Sequence, residues 1–293
     1  MSTPTFTIPT RPLTWFITGA SSGLGQALTR LAIARGHTVI ATSRDPFKSP
    51  DLKSEIEAAG GKLIALDLTS PSTGDTIAEL EGSGTHIDVL VNNAGYCTFQ
   101  TVESSTEEEV RAQMETMYFG PLRLIRAVVP YMRARGYGVV VNISTGAALE
   151  GADSMGPYAG AKAALDGVTR VLAKEVARFN IRTLTVVAGT FNTNFDTNAN
   201  FGAKPLLEEY KGSVAELMIN TIRDGKLKPN SDKEKGVKAV YEVVVGEGAG
   251  KGKEAEPLLL LGKDMDARAK KTIGYLGHAL DVFGEVTNGV GVD

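Results

Sequence analysis

Residues 14–25 read TWFITGASSGLG, and this stretch contains the turn that decides the fold. The run Trp15–Thr18 is apolar, as in a buried strand, and ends at a glycine. From Leu24 to Arg35 apolar side chains recur at helical spacing, and Gly36 closes the pattern. Glycines between a strand and a helix let the backbone approach phosphate groups, which face the helix N-terminus. The stretch therefore predicts the first strand–turn–helix unit of a nucleotide-binding sheet.

Further apolar runs alternate with helical patterns along the chain. Most residues of these runs are apolar, which is typical of parallel strands covered on both faces. The alternation predicts an α/β fold, a doubly wound, Rossmann-like parallel sheet of about seven strands with helices on both faces. The strands expected after the first are Thr38–Thr42, Lys62–Leu66, Val89–Val91, Val139–Ile143, Ile181–Val187 and Pro257–Leu261.

The domain organisation follows from where this alternation begins. Residues 1–13 contain three prolines and predict an irregular N-terminal arm, whereas residues 14–293 predict a single Rossmann-like catalytic domain. Within that domain the asparagine-rich segment near 190–212 follows the sixth strand, at the edge of the sheet where ligands bind. Long irregular segments in compact domains are usually functional, so a substrate lid is preferred here to a plain surface loop.

The composition excludes several function classes. The 293 residues are 42% hydrophobic and 22% charged, with a net charge of −3. Because the sequence contains no block of basic residues, it argues against nucleic acid or an anionic membrane as a partner. The single cysteine, Cys97, suits a reducing compartment, so a cytoplasmic protein is expected. The three histidines (His37, His86 and His278) form no metal-ligand pattern, and we expect no metal site.

The end of the second strand carries the signal for the cofactor. An NAD site places Asp or Glu there to hold the ribose hydroxyls, whereas a 2′-phosphate needs a cation. Here Ser43 and Arg44 offer a hydroxyl and a planar cationic fork, and Asp45 comes one residue late. The pattern favours NADP, although a solvated loop arginine would look the same.

Three motifs in register resemble the short-chain dehydrogenase/reductase family. They are the TGASSGLG turn at 18–25, Asn92–Asn93–Ala94–Gly95 after the fourth strand, and the YxxxK pair Tyr158 and Lys162. The resemblance covers about residues 14–195. It implies hydride transfer between NADPH and the carbonyl or secondary alcohol of a small organic molecule, by a homodimer or homotetramer.

The resemblance also implies which residues border the cofactor. They come from the glycine-rich turn, the ends of the second to fourth strands, the YxxxK helix and the segment after the sixth strand. They are Gly19, Ser21, Ser22, Gly23, Leu24, Ser43, Arg44, Asp67, Leu68, Asn93, Ala94, Gly95, Tyr158, Lys162 and Thr193.

The catalytic residues implied by the resemblance are Tyr158 and Lys162 with a hydroxyl residue before them. Four residues apart on a helix, the phenol and the ammonium share one face, and a cation can lower a tyrosine pKa from near 10 toward neutrality. Thirteen residues before Tyr158 lies Thr145, the preferred substrate-orienting hydroxyl. Ser144 remains the alternative.

The sequence departs from the family pattern at Met117. Residues 117–120 read MYFG where the family has an asparagine that holds a relay water. Gln113, one turn earlier on the same helix face, offers the same amide chemistry, or Met117 is simply core. This departure keeps open an NADP-binding regulator without catalysis, and a biosynthetic isomerase or cyclase without net redox stays a further alternative. Phe191, Phe195 and Phe201 suggest an apolar substrate, unless they only pack the lid.

Overall fold

The computed structural model of the chain describes residues 5–193, 195 and 199–292. The strands within these residues are β1 (Thr14–Ile17), β2 (Thr38–Ser43), β3 (Lys62–Ala65), β4 (Val89–Asn92), β5 (Thr98–Phe99), β6 (Gly138–Thr145), β7 (Ile181–Ala188), β8 (Asn200–Phe201) and β9 (Leu258–Leu261). The helices are α1 (Gly23–Ala34), α2 (Pro50–Ala58), α3 (Asp75–Gly82), α4 (Glu107–Met114), α5 (Gly120–Arg135), α6 (Gly146–Glu150), α7 (Gly156–Val176), α8 (Val214–Arg223), α9 (Lys233–Val245) and α10 (Met265–Asn288).

Seven strands form one parallel sheet in the order β3-β2-β1-β4-β6-β7-β9. This confirms the predicted doubly wound fold. The strand order reverses between β1 and β4, so the carboxyl ends of these strands open the crevice in which such folds bind nucleotides. The expected fifth strand of the sheet continues to Thr145, which puts both candidate hydroxyl residues on the strand itself.

Helices cover both faces of the sheet, as the uninterrupted apolar runs predicted. On β1, Trp15 and Ile17 face a core that α1 and α9 complete, whereas Phe16 faces a second core against α3, α5 and α7. Side chains of a strand alternate between faces, so a strand buried on both sides is largely apolar, although β7 also buries Arg182, Thr183 and Thr185.

A second, two-stranded parallel sheet, β5 with β8, lies apart from the main one, with Thr98 opposite Asn200 and Phe99 opposite Phe201. The sequence did not predict these strands because two residues carry no periodicity. The expected lid segment supplies β8 and then leads into α8. Asn194 and residues 196–198 of that segment lie outside the described residues, and its role as a lid stays a prediction.

In the described part of the chain, no helix combines the length and apolarity needed to cross a membrane. The longest helix, α10, packs its start against β9 and α6, while Ile273, Leu276, Leu280 and Phe283 further along it are exposed.

Candidate active site

The glycine-rich turn after β1 packs closely against the residues that follow β4. Gly19 and Gly23 have φ angles of +65° and +58°, which favour glycine. A Cβ atom on Gly19 would lie 2.7 Å from the Cα of Ala94, and one on Gly25 would lie 2.4 Å from Nδ2 of Asn93. The motif glycines are therefore required by this close approach as well as by backbone conformation.

Hydrogen bonds fix the same contact. Asn93 Nδ2 donates to the carbonyls of Thr18 and Gly19, at 2.9 and 3.0 Å, while the backbone N–H groups of Asn93 and Ala94 donate to Thr18 Oγ1. Asn92 Nδ2 donates to Asn142 Oδ1 at 2.8 Å across β4 and β6. The turn and the Asn-Asn-Ala-Gly segment thus form one rigid surface at the carboxyl edge of the sheet.

The start of α1 is open to an anion. Ser22 precedes the helix in extended conformation, its side chain makes no capping hydrogen bond, and the first turn holds no acidic residue. The first N–H groups of a helix lack partners within it and carry partial positive charge. Thr193 lies beside this turn, since a Cβ atom on Gly23 would lie 3.6 Å from the Thr193 Cβ. Ser21 is exposed next to it, and Leu24 packs into the core beneath.

The end of β2 presents the two residues expected to choose the cofactor. Ser43 is buried and its hydroxyl has no hydrogen-bond partner among the described residues, whereas Arg44 is exposed. Asp45 turns away, since its Oδ1 accepts from the backbone N–H of Phe47 at 3.1 Å. That Asp45 points away from the cofactor stays a prediction, which this local hydrogen bond favours.

After β3, Asp67 and Leu68 lie beside this end of the crevice. Two hydrogen bonds from Thr69 hold the pKa of the Asp67 carboxyl below its usual range, and the positive charge of Arg44 adds to this effect. Leu68 is buried, and a Cβ atom on Gly120 would lie 2.7 Å from its carbonyl oxygen. The glycine of the MYFG stretch is therefore needed for α5 to pack on this loop.

The structure brings Thr145 and Tyr158 together and turns Ser144 away. The side chain of Thr145 interacts with the Tyr158 hydroxyl and lowers the phenol's pKa. Ser144 Oγ donates instead to Asp166 Oδ2 at 2.7 Å, on the α7 side of β6. Neighbouring residues of a strand point to opposite faces, which separates the two hydroxyls.

Burial dominates the electrostatics of Tyr158 and Lys162. It raises the pKa of Tyr158 above its ordinary value, and the Thr145 contact and the charge of Arg268 offset this only in part. It lowers the pKa of Lys162 to about 8. The ammonium donates to the carbonyl of Ile143 at 2.7 Å. In the chain without ligand, the net shift at Tyr158 is thus opposite to the lowering expected from the YxxxK pair.

Met117 occupies the position of the family's asparagine in a π-helical turn, Glu115–Phe119. It is fully buried, and a Cβ atom on Gly95 would lie 3.2 Å from its sulfur and 3.5 Å from Lys162 Nζ. Gln113 is also fully buried, and its Oε1 accepts from the Thr98 N–H at 3.3 Å. Its Nε2 has no hydrogen-bond partner among the described residues, so the relay role of Gln113 stays a prediction.

Tyr158 borders an apolar cluster on its open side, together with Cys97, Phe99, Ile219 and Ile222. The Phe195 ring lies 5.9 Å from that of Tyr158 and 6.3 Å from that of Phe99. Phe191 is different, because its ring packs on α9, where a Cβ atom on Gly236 would lie 2.5 Å from it. Of the three phenylalanines singled out in the sequence, Phe195 and Phe201 therefore lie beside the site.

The sequence analysis missed two residues that hold the site in place, Asp264, which immediately precedes α10, and Arg268 on α10. Asp264 accepts hydrogen bonds from the backbone N–H and the hydroxyl of Thr190, both at 3.3 Å. Arg268 Nε donates to Glu150 Oε1 at 2.7 Å, and Nη1 donates to Asp264 Oδ2 at 3.2 Å. A Cβ atom on Gly146, the residue after Thr145, would lie 2.4 Å from the guanidinium carbon. In the sequence, only Gly146, the glycine after β6, indicates such a close approach.

Comparison with known proteins identifies this arrangement. The family model described as short chain dehydrogenase matches residues 14–203. The chain belongs to the short-chain dehydrogenase family. An oxidoreductase of Passalora fulva is 39% identical over 198 residues, which cover 67% of this chain and 88% of the relative. This short-chain dehydrogenase is therefore a member of an oxidoreductase family.

Solved structures agree with this assignment. A short-chain dehydrogenase from Streptomyces avermitilis has a TM-score of 0.85 and 32% identity, covering 97% of this chain and all of that one (100%). A metagenomic short-chain oxidoreductase in complex with NADP has a TM-score of 0.57 and 30% identity, covering 61% of this chain and 82% of that one.

In this short-chain dehydrogenase, no cluster of His, Cys, Asp and Glu that could hold a metal ion occurs among the described residues.

Proposed function

We propose that this chain is an NADP-dependent ketoreductase that transfers a hydride between NADPH and a carbonyl or secondary alcohol. The observation that carries the proposal is the contact of Thr145, at the end of β6, with Tyr158 on α7, which also carries Lys162 four residues later. There the Lys162 ammonium lies near Gly95, and the phenol faces an apolar cluster. This arrangement supports a small, apolar organic substrate.

The residues present fit NADP. The glycine cradle and the uncapped start of α1 suit a pyrophosphate, which Thr193 would border. The Ser43 hydroxyl, which has no hydrogen-bond partner in the described part of the chain, and the exposed Arg44 suit a 2′-phosphate, and the next residue, Asp45, accepts from the Phe47 N–H. The NADP bound to the metagenomic relative adds support.

The remaining cofactor residues would line the rest of the crevice. Asp67 and Leu68 would border the adenine, and Asn93, Ala94 and Gly95 the nicotinamide ribose, which Lys162 would hold by its ammonium. When bound, NADPH supplies the hydride that reaches the carbonyl carbon.

Residues of the chain itself would supply the proton that the carbonyl oxygen takes up. Because burial raises the pKa of Tyr158, the phenol is protonated at neutral pH and can donate its proton to the carbonyl oxygen. The Thr145 hydroxyl would orient that oxygen by a hydrogen bond. In the reverse direction Tyr158 must lose its own proton before it can accept one from the alcohol, and its raised pKa opposes that loss.

A panel of apolar ketones and aldehydes, followed by the loss of NADPH absorbance, tests the function. The proposal expects stoichiometric NADPH consumption and alcohol formation with at least one class of apolar carbonyl. Tight NADPH binding without turnover of any carbonyl would favour the second candidate, an NADP-binding regulator, which the loss of the relay asparagine at Met117 motivates. A product formed without any change in NADPH concentration would favour the hypothesis of an isomerase or cyclase.

We further propose that the chain acts as a homo-oligomer in the cytoplasm. Its solvent-exposed α10 carries apolar residues at 273, 276, 280 and 283, a spacing that suits helix pairing between two copies. A homodimer is the simplest such assembly, and a homotetramer would need a second contact that joins two such dimers. The single, buried and unpaired Cys97 is in keeping with a reducing compartment.

A further inference from the structure

A cavity of about 300 Å³ lies between the β5–β8 pair and α8, outside the residues assigned to catalysis or to the cofactor. Phe99, Phe201, Leu206 and Ile219 form its apolar walls. Gln100, Lys204 and Arg223 add polar groups.

The cavity adjoins the candidate active site. Phe99 and Ile219 belong to the buried cluster that contains Tyr158, and Phe201 and Leu206 pack against that cluster. The ring of Phe195 bridges the two regions, since it contacts both Tyr158 and Phe99. The cavity and Tyr158 therefore border the same apolar cluster, and a substrate that reaches both would lie along it.

The walls are held by specific contacts. The rings of Phe99 and Phe201 are paired across β5 and β8 with centroids 6.2 Å apart. Gln100 Nε2 donates to the Lys204 carbonyl at 2.7 Å. A Cβ atom on Gly202 would lie 2.4 Å from that Nε2, so the segment can approach Gln100 only with glycine there.

The cavity is also lined by Arg223, a cation that has no acidic partner within residues 5–193, 195 and 199–292. The guanidinium of Arg223 sits 5.0 Å from the centroid of the Phe201 ring, and its hydrogen bond goes to the neutral amide of Asn220. Among the described residues, neither Arg223 nor Lys204 has a carboxylate within ion-pair distance. By contrast, Lys226 pairs with Asp224 at 2.7 Å. An arginine stacked on an aromatic ring beside an apolar cavity is well suited to bind a carboxylate through its remaining donors.

We propose that the cavity binds the far end of the substrate and that this end is a carboxylate held by Arg223, with Lys204 adding positive charge. The substrate class is then a carbonyl compound with an apolar body and an anionic terminus. This inference rests on the proposed ketoreductase function and specifies its substrate.

The test compares linear keto acids of increasing length, each beside its uncharged methyl ester, in steady-state NADPH oxidation. At the favoured length, we expect kcat/KM for the acid to exceed that for the ester by about tenfold or more, equivalent to about 1.4 kcal/mol. Arg223→Gln should raise KM for the acid about tenfold, with kcat and the ester's kinetics unchanged. Arg223→Lys should keep part of the preference, and Lys226→Gln, which removes a paired charge nearby, should keep all of it.

The outcomes separate the inference from the function on which it rests. Equal kinetics for acids and esters in the unaltered protein would overturn the carboxylate site and leave the ketoreductase function intact. An equal loss for both compounds in Arg223→Gln would also overturn it, because the arginine would then only support the fold. If neither compound were reduced although NADPH binds, the proposed function would itself fail.

Discussion

At the scale of single residues, the proposed mechanism depends on which of two neighbouring hydroxyls, Thr145 or Ser144, contacts the substrate. Thr145 ends β6 facing Tyr158, whereas Ser144, one residue earlier, donates to the largely buried Asp166. The one-residue step along a strand turns the side chain to the other face, so the two hydroxyls have separate tasks. Burial raises the pKa of Asp166, and the Ser144 hydrogen bond works against that rise.

Paired substitutions distinguish these tasks. Thr145→Val removes the hydroxyl with little change of shape, and we expect kcat to fall by roughly two orders of magnitude with NADPH affinity unchanged, the scale of a lost oriented donor. Ser144→Ala leaves Asp166 without its partner and should lower the free energy of unfolding by about 1–3 kcal/mol with kcat nearly intact. Urea unfolding and steady-state kinetics on both variants measure the two effects. The reverse pattern would assign the substrate contact to Ser144.

A second residue-scale prediction concerns the cofactor. With Arg44 and the unpartnered Ser43 at the end of β2, NADPH should bind at least about tenfold more tightly than NADH, or about 1.4 kcal/mol. Arg44→Asp should reverse the preference, because a carboxylate repels the 2′-phosphate and accepts from the ribose hydroxyls. Fluorescence titration gives both dissociation constants, and equal values in the unaltered protein would contradict the role of Arg44.

At the scale of elements, the sequence predicted those strands and helices whose apolar residues recur with a regular period. The inner strands of the main sheet appear as apolar runs because helices cover both of their faces, and α1 appears because its apolar residues recur at helical spacing. The turn glycines and Tyr158 with Lys162 were recognisable as local patterns. The β5–β8 pair is too short for any period, and the contact of Arg268 with Gly146 joins residues far apart in sequence, so neither could be predicted.

The contact between α10 and the Thr145 turn gives an element-scale prediction. The charge of Arg268 lowers the pKa of Tyr158, so Arg268→Gln should raise that pKa and move the rising limb of alcohol oxidation to higher pH. We expect the NADP dissociation constant to stay unchanged, with Arg268 acting as a positioning residue. Lys270→Gln is the matched control, because Lys270 pairs with Asp266 on the exposed side of the same helix. A uniform loss of rate at every pH would contradict the electrostatic part of this role.

At the scale of the whole molecule, the most unusual feature is the exposed apolar side of α10. Ile273, Leu276, Leu280 and Phe283 are 58–68% exposed, and they recur at alternating steps of three and four residues. Such a stripe is typical of a helix that pairs with another helix. Exposed apolar patches of this kind commonly mark an interface.

We therefore expect a homodimer in solution. Leu280→Glu together with Phe283→Glu should give monomers of unchanged helix content, whereas Asp281→Lys, on the polar side of α10, should leave the dimer intact. Light scattering coupled to gel filtration measures the mass, and circular dichroism the helix content. A monomeric unaltered protein would refute pairing through α10.

The central claim, that Tyr158 donates the proton in an NADPH-dependent reduction, is tested most directly by single-turnover reduction in Tyr158→Phe. The substitution removes one hydroxyl from a buried ring and leaves the ring itself in place, so fold and NADPH affinity should persist. We predict that the rate of NADPH oxidation with a saturating carbonyl substrate falls by about two orders of magnitude or more, the usual scale of acid catalysis. A rate within a few-fold of the unaltered protein, with NADPH bound equally well, would contradict the account, since the proton would then come from another group.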